Sequence, residues 1–150
     1  MHGIAGMLSN RCLWAAMTAW FLAQFLKVPT YWLVEKKWDW HHLIGSGGMP
    51  SSHSAGVVAL TITVGAFYGF DTAEFALCFV FGSIVMYDAA GVRRETGRQG
   101  KAINEIISRV LVEGQPITDK ELKEIVGHTP FEVFMGALTG FLVAILWLII

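Results

Sequence analysis

Four stretches of the chain are almost continuously apolar, and the polar and charged residues are concentrated between them. The apolar stretches cover residues 4–26, 54–70, 73–92 and 130–150. A transmembrane helix needs about 20 mostly apolar residues to cross a hydrocarbon core of roughly 30 Å, and each stretch meets or approaches that length. The pattern therefore predicts an all-α protein, a polytopic membrane bundle of about four transmembrane helices.

The segments between these stretches predict how the helices are connected. Residues 71–72 leave room only for a tight turn, so the second and third spans should form an antiparallel hairpin. In the third loop, apolar residues recur at helical spacing from Ala102 to Leu111, and a second short helix is expected from Thr118. We expect these helices to be amphipathic and to lie at the membrane interface. Residues 1–150 are predicted to form a single integral membrane domain.

Composition supports lipid as the solvent, because 54% of the residues are hydrophobic and only 15% are charged. No basic region precedes the first apolar run and no small-residue cleavage pattern follows it, so we expect that span to be retained. Cys12 and Cys78 lack metal-ligand spacing, which argues against a zinc site or a disulfide framework.

The basic residues are distributed asymmetrically. Three of the eleven Lys and Arg residues lie in segment 27–53 and seven lie in segment 93–129. Four spans place both segments on one membrane face, which the positive-inside rule predicts to be cytoplasmic, with both termini outside. Even without Lys27, Arg93 and Arg94, whose charge has a chemical explanation, the asymmetry remains. The expected location is a bacterial plasma membrane.

The same topology brings residues with phosphate chemistry to one membrane boundary. Glycine and serine before a helix offer backbone N–H groups, hydroxyls and the positive helix end to an anion. Lysine and arginine supply the opposite charge. The residues expected to bind phosphate are Lys27, Gly48, Ser51, Ser52, Arg93 and Arg94.

Two histidines are candidates for making and breaking bonds. A neutral histidine can attack phosphorus when a carboxylate holds its other ring nitrogen, and a second histidine can protonate the leaving alkoxide. His128 and Glu132 are four residues apart, which places them on one helical face if the helix begins early enough. We therefore predict His128 as nucleophile, Glu132 as its partner and His53 as acid.

These residues lie in motifs that resemble a known superfamily. Residues 48–54, Gly-Met-Pro-Ser-Ser-His-Ser, resemble the Pro-Ser-Gly-His motif of the type 2 phosphatidic acid phosphatases, and residues 128–132, His-Thr-Pro-Phe-Glu, resemble their His-x-x-x-Asp motif. Together with residues 87–94, Tyr-Asp-Ala-Ala-Gly-Val-Arg-Arg, the pattern is similar to a divergent branch related to acid phosphatases and vanadium-dependent haloperoxidases.

The resemblance covers most of the chain and implies a role for each matching residue. It implies phosphate ligands at Lys27, Ser52 and Arg93 or Arg94, a general acid at His53, a phosphohistidine at His128 and an orienting acid at Glu132. It implies no metal or other cofactor. The chain departs from the superfamily in having Glu for Asp, no Arg-Pro after Lys27, and a long segment between Arg94 and His128. Its four spans are fewer than the usual six-helix core, so the loop helices or a second copy of the chain would complete the bundle.

Structural explanations stand beside the chemical ones. Ser51 or Ser52 could cap the second span, and Glu132 could belong to a capping box that begins at Thr129. Arg93 and Arg94 could be membrane anchors. Asp88, an acid within a span, is a possible supporting residue of the site or a member of a structural ion pair with Arg93 or Lys27.

The leading hypothesis is a lipid phosphatase that acts on a phosphomonoester or diphosphate, either phosphatidic acid-like or polyprenyl. Its expected partners are the bilayer and a membrane lipid phosphate, with no nucleic acid. The alternatives are a non-catalytic protein that binds or transports lipid phosphates and, with less support, a haloperoxidase-like protein.

Overall fold

The computed structural model describes residues 3–36, 48–91, 99–100, 103 and 128–150. All regular secondary structure in this part of the chain is helical. The helices are α1 (Ile4–Leu8), α2 (Arg11–Glu35), α3 (Ser52–Tyr68), α4 (Ala73–Ala90) and α5 (Pro130–Ile149). Residues 99, 100 and 103 are helical as well. The rest of the predicted third-loop helices, together with Arg93 and Arg94, lies outside the described residues.

Each long helix begins at a polar residue whose side chain accepts a hydrogen bond from a backbone N–H in the first turn. Such a bond satisfies one of the donors that have no partner within the helix. The four N-cap residues are Asn10, Ser51, Thr72 and Thr129. The predicted second, third and fourth spans therefore agree with α3, α4 and α5 to within two residues at each end.

The first predicted span differs from the structure at both ends. Asn10 caps a new helix, so the apolar stretch divides into the short α1 and the 25-residue α2. Helix α2 then continues through Pro29 and ends where Lys36 adopts a left-handed conformation with φ of 56°. Proline removes one helical N–H donor but does not end this helix. Lys27, expected at the start of a loop, consequently lies on a helix.

Helix α3 is the centre of the bundle and packs against α2, α4 and α5. At one end of the bundle the Ser51 N–H donates to the Glu132 carbonyl over 3.1 Å. At the other end the Arg11 guanidinium donates to the Trp147 carbonyl over 2.8 Å. Helices α3 and α5 thus run in the same direction and α2 runs oppositely. The first turns of α3 and α5 lie beside the last turns of α2.

The core is built from small residues, which allow the helix backbones to approach closely. Its buried cluster consists of Ala19, Ala23, Ala55, Ala59, Val143 and Ala144. Two glycines of α5 face α3: a Cβ at Gly136 would overlap the Ser51 carbonyl oxygen, and one at Gly140 would overlap that of Ala55. Small residues at interfaces are typical of helix packing in membranes. This close approach brings Ser51 against the first turns of α5.

The outer surface is strongly apolar. Large exposed side chains include Leu77, Phe79, Phe81, Phe134, Phe141 and Leu142. Helices α4 and α5 are long and apolar enough to cross a membrane. Helix α3 is also apolar but has 17 residues, a length of about 26 Å. Small side chains inside and large apolar ones outside suit a protein whose surroundings are lipid.

Candidate functional site

Lys27 and His128 are the two largest fully buried side chains of the described residues, each 1% exposed. Burying a group that can carry charge is costly unless other groups compensate for the lost hydration. Both lie at the end of the bundle where Ser51 meets α5. Two such groups in an apolar bundle mark this end as a candidate site, because ionisable residues inside membrane proteins are usually functional.

His128 immediately precedes the N-cap of α5 and contacts Glu132 in its first turn. The His128 Nδ1 lies 3.3 Å from Glu132 Oε2. The same carboxylate oxygen accepts a hydrogen bond from the Thr129 N–H over 2.8 Å, and the Thr129 hydroxyl accepts from the Glu132 N–H over 3.3 Å. Glu132 therefore contacts the histidine and also completes a capping box, so one carboxylate makes both expected interactions.

This geometry has a consequence for the imidazole of His128. A carboxylate only accepts, so the hydrogen bond to Glu132 requires a proton on Nδ1, and in the neutral imidazole the lone pair is then on Nε2. His128 Nε2 is buried and has no hydrogen-bond partner among the described residues. A buried nitrogen with a free lone pair and a ring oriented by a carboxylate is the arrangement that a nucleophilic histidine needs.

A cavity of about 410 Å³ lies beside this pair and is formed by α2, the segment before α3, and the start of α5. Its lining residues are Lys27, Thr30, Tyr31, Gly48, Met49, Thr129, Phe131 and Glu132. Gly48 has a φ of 88°, a backbone conformation that favours glycine. The cavity combines the buried cation with the carboxylate that holds His128.

The two serines of the predicted phosphate cradle are buried at the start of α3. Ser51 is the N-cap of α3, and its hydroxyl contacts the Ser54 N–H at 3.4 Å and the Ser54 hydroxyl at 3.1 Å. Ser52 is 2% exposed. Neither serine is among the described residues that line the Lys27 cavity, whereas Gly48 is.

His53 lies in a different cavity from the His128 partner Glu132. This second cavity has a volume of about 260 Å³ and is lined by His53, Ile84, Val85, Asp88 and Ala89. Asp88, on the last turn of α4, thus shares a cavity with His53, whereas Lys27 lines the other one. Lys27, Gly48 and Glu132 therefore line one cavity, and His53 and Asp88 line the other.

The described residues contain no group of three or more His, Cys, Asp or Glu placed to hold a metal ion. Cys12 and Cys78 are both free thiols. The polar groups that line the Lys27 cavity include a lysine, the backbone of Gly48 and hydroxyl side chains, all of which can donate hydrogen bonds.

Several residues that line the Lys27 cavity were not predicted as site residues from the sequence. Thr30 and Tyr31 follow it by three and four residues, so they lie on the same face of a helix. Helical spacing would have indicated them if the first span had been extended beyond residue 26. Met49 and Phe131 lie within the two histidine motifs, but nothing in their residue types distinguishes them from ordinary apolar positions.

The bundle is apolar on its outer surface and holds a buried lysine and a buried histidine at one end. The chain belongs to the divergent PAP2 family, whose model matches residues 8–143. This confirms the resemblance to the type 2 phosphatidic acid phosphatases. The chain is also 40% identical over 149 residues to the uncharacterized membrane protein YuiD of Bacillus subtilis (strain 168), covering 93% of this chain and 94% of the relative. No solved structure matches.

Proposed function

We propose that the protein is a lipid phosphatase that hydrolyses a phosphomonoester or diphosphate of a membrane lipid through a phosphohistidine at His128. The observation that carries the proposal is the buried His128 imidazole, held at Nδ1 by Glu132 with Nε2 unpartnered among the described residues, beside a cavity that contains buried Lys27. Membership of the divergent PAP2 family supports the same chemistry.

In the first step, the Nε2 lone pair attacks the phosphorus of the lipid phosphate. The nitrogen–phosphorus bond forms while the bond between phosphorus and the lipid oxygen breaks, and the leaving oxygen takes a proton from the general acid. The imidazole becomes cationic during attack, and the Glu132 carboxylate stabilises that charge through the Nδ1–H. In the second step, water attacks the phosphohistidine and gives a proton to the general acid that was deprotonated in the first step. The nitrogen–phosphorus bond breaks, inorganic phosphate leaves, and Nε2 regains its lone pair.

Lys27 is proposed to bind the phosphate oxygens during both steps. Its charge is buried, and a buried cation attracts an anion far more strongly than a cation in water does. The Gly48 backbone lines the same cavity. Arg93 or Arg94 is proposed to add planar donors to the phosphate, while Ser51 and Ser52 are assigned a supporting role at the start of α3.

His53 is proposed as the general acid that protonates the leaving oxygen, with Asp88 as its neighbour in the second cavity. The leaving oxygen must then lie on the His53 side of α3 while the phosphate contacts His128. His53→Ala should slow the release of a lipid alkoxide more than the release of a better leaving group, such as p-nitrophenol. An equal effect on both substrates would exclude the acid role.

We further propose that the segment before α3 and the segment before α5 face the cytoplasm, with α2, α3, α4 and α5 all crossing a bacterial plasma membrane and both termini outside. Cysteines introduced by Lys37→Cys and Lys120→Cys, in a chain without Cys12 and Cys78, should be labelled from the cytoplasmic side. Labelling from outside would show the opposite orientation and would leave the proposed chemistry unaffected. Cross-linking in the membrane would test whether two copies associate.

The test of function is phosphate release by the purified protein from a panel of lipid phosphates and diphosphates in mixed micelles. Wild type should release phosphate, and His128→Ala should reduce the rate by several orders of magnitude because the nucleophile is removed. His2→Ala, at the chain terminus, is the matched histidine control and should leave the rate unchanged.

Equal rates for wild type and His128→Ala would contradict the proposal. Binding of lipid phosphates without any release by wild type would favour a non-catalytic protein that binds or transports them. Bromination of a phenol in the presence of vanadate and peroxide would favour a haloperoxidase-like protein.

A further inference from the structure

Thr30 lies one turn beyond Lys27 on α2 and makes a contact that its position in the helix does not require. Its hydroxyl lies 2.8 Å from the Leu26 carbonyl oxygen and 3.0 Å from the Lys27 carbonyl oxygen, the ordinary bonds of a threonine within a helix. A hydroxyl carries one proton and donates to one carbonyl at a time, and the acceptor nearest to it is the carbonyl oxygen of Met49, 19 residues away in sequence. This last contact joins α2 to the segment that leads into α3.

The segment from Gly48 to Ser51 is held at two points. The Met49 carbonyl accepts from Thr30 of α2, and the Ser51 N–H donates to the Glu132 carbonyl of α5. Only Pro50 separates the two attachments. The position of the Gly48–Met49 backbone relative to both α2 and α5 is therefore set by these two hydrogen bonds.

Both attachments flank the cavity that contains Lys27 and Glu132. Gly48, Met49 and Thr30 all line it. If the Met49 bond were lost, the Gly48–Met49 backbone could move away from α2, and the distance between the buried lysine and this wall would change. An anion held by both walls would then lose part of its contacts, and small displacements of binding groups have large effects on affinity and rate.

We propose that Thr30 is a positioning residue of the anion site, whose hydroxyl holds the Gly48–Met49 backbone beside Lys27. The inference rests on the proposed function in assuming that a phosphate group occupies this cavity. Thr30 would act by holding the Gly48–Met49 backbone in place, without contacting the phosphate itself.

The experiment compares Thr30→Val, which keeps the shape but removes the hydroxyl, with Thr30→Ser, which keeps the hydroxyl. Thr139→Val is the matched control, because the Thr139 hydroxyl bonds the Met135 carbonyl within its own helix over 2.8 Å. Each full-length variant is measured for kcat and KM with a lipid phosphate, affinity for inorganic phosphate, and hydrogen exchange at the amides of Gly48, Met49 and Ser51.

Thr30→Val should weaken phosphate binding and raise KM about tenfold, the size expected for one lost hydrogen bond, and it should speed exchange in the loop. Thr30→Ser should stay close to wild type, as should Thr139→Val. If Thr30→Val does not fold, Thr30→Ala removes the same hydroxyl without filling its space and carries the same expectation.

Wild-type phosphate affinity and loop exchange in Thr30→Val would overturn the inference. A defect in Thr30→Ser equal to that in Thr30→Val would also overturn it, since packing would then matter rather than the hydroxyl. Phosphate affinity and exchange need no turnover. A wild-type protein that releases no phosphate, but whose Thr30→Val variant loses affinity and loop protection, would therefore refute the proposed function alone.

Discussion

The two contacts of Glu132 can be separated by mutation, because its neighbour Thr129 belongs to the cap but not to the histidine pair. Thr129→Ala removes only the hydroxyl that accepts from the Glu132 N–H at 3.3 Å. Glu132→Gln keeps a side-chain oxygen that can accept from both Thr129 N–H and His128 Nδ1, but it removes the negative charge. Glu132→Ala removes both contacts.

The expected magnitudes follow from these contacts. Loss of an N-cap side chain costs about 0.5–2 kcal/mol, and the long Thr129 bond places Thr129→Ala toward the lower end. Glu132→Ala also leaves a buried Nδ1–H without an acceptor, which adds about 1–3 kcal/mol. If Glu132 orients His128 and stabilises its charge, Glu132→Gln and Glu132→Ala should both lower kcat on the order of 10²–10⁴-fold. Thr129→Ala should leave kcat almost unchanged.

The assay measures phosphate release at saturating lipid phosphate. In the same detergent, thermal unfolding is monitored through the reaction of buried Cys12 with a thiol-specific dye. Stability and rate should separate: Thr129→Ala loses stability but not rate, and Glu132→Gln loses rate but little stability. Wild-type kcat in Glu132→Gln would refute a role for the carboxylate charge. A parallel loss of rate and stability across all three variants would reduce Glu132 to a capping residue.

Three other predictions concern packing and charge. Gly136→Ala should destabilise the protein by about 1–3 kcal/mol because the new Cβ meets the Ser51 carbonyl oxygen, whereas Gly56→Ala, with its nearest neighbour at 3.6 Å, should unfold near the wild-type temperature. Lys27→Met should lower the rate of phosphate release by about 10²–10³-fold, as for loss of one charge-stabilising donor. Thermal stability should change little, because an apolar side chain replaces a buried charge. A large fall in stability with an unchanged rate of release would contradict this. Arg11→Met should lower the unfolding temperature through its lost Trp147 hydrogen bond but leave kcat unchanged, since Arg11 lies at the opposite end of the bundle.

Much of the helical framework could be predicted because each long helix starts with a strong local signal. Ser51, Thr72 and Thr129 each precede an apolar run and each caps the helix that follows. The i, i+4 spacing of His128 and Glu132 likewise placed the two side chains together correctly. These features depend on neighbours within one turn, and the sequence contains that information directly.

Features set by packing between helices could not be predicted in the same way. The first span was predicted to end at residue 26, yet α2 continues through Pro29 to Glu35, with Val28 buried and Thr30 in contact with the Met49 carbonyl. His53 was expected to lie beside the phosphate site with Ser51. In the structure Ser51 caps α3 and its N–H bonds α5, whereas His53 lines the cavity of Asp88.

The central claim is that His128 carries the phosphoryl group during turnover. The most direct measurement is mass spectrometry of the protein quenched at alkaline pH within one turnover of a lipid phosphate, conditions that preserve a phosphorus–nitrogen bond. A phosphoryl group is expected on the peptide that contains His128 and should be absent in His128→Ala. Turnover without phosphorylation of His128, or phosphorylation at another residue, would contradict it.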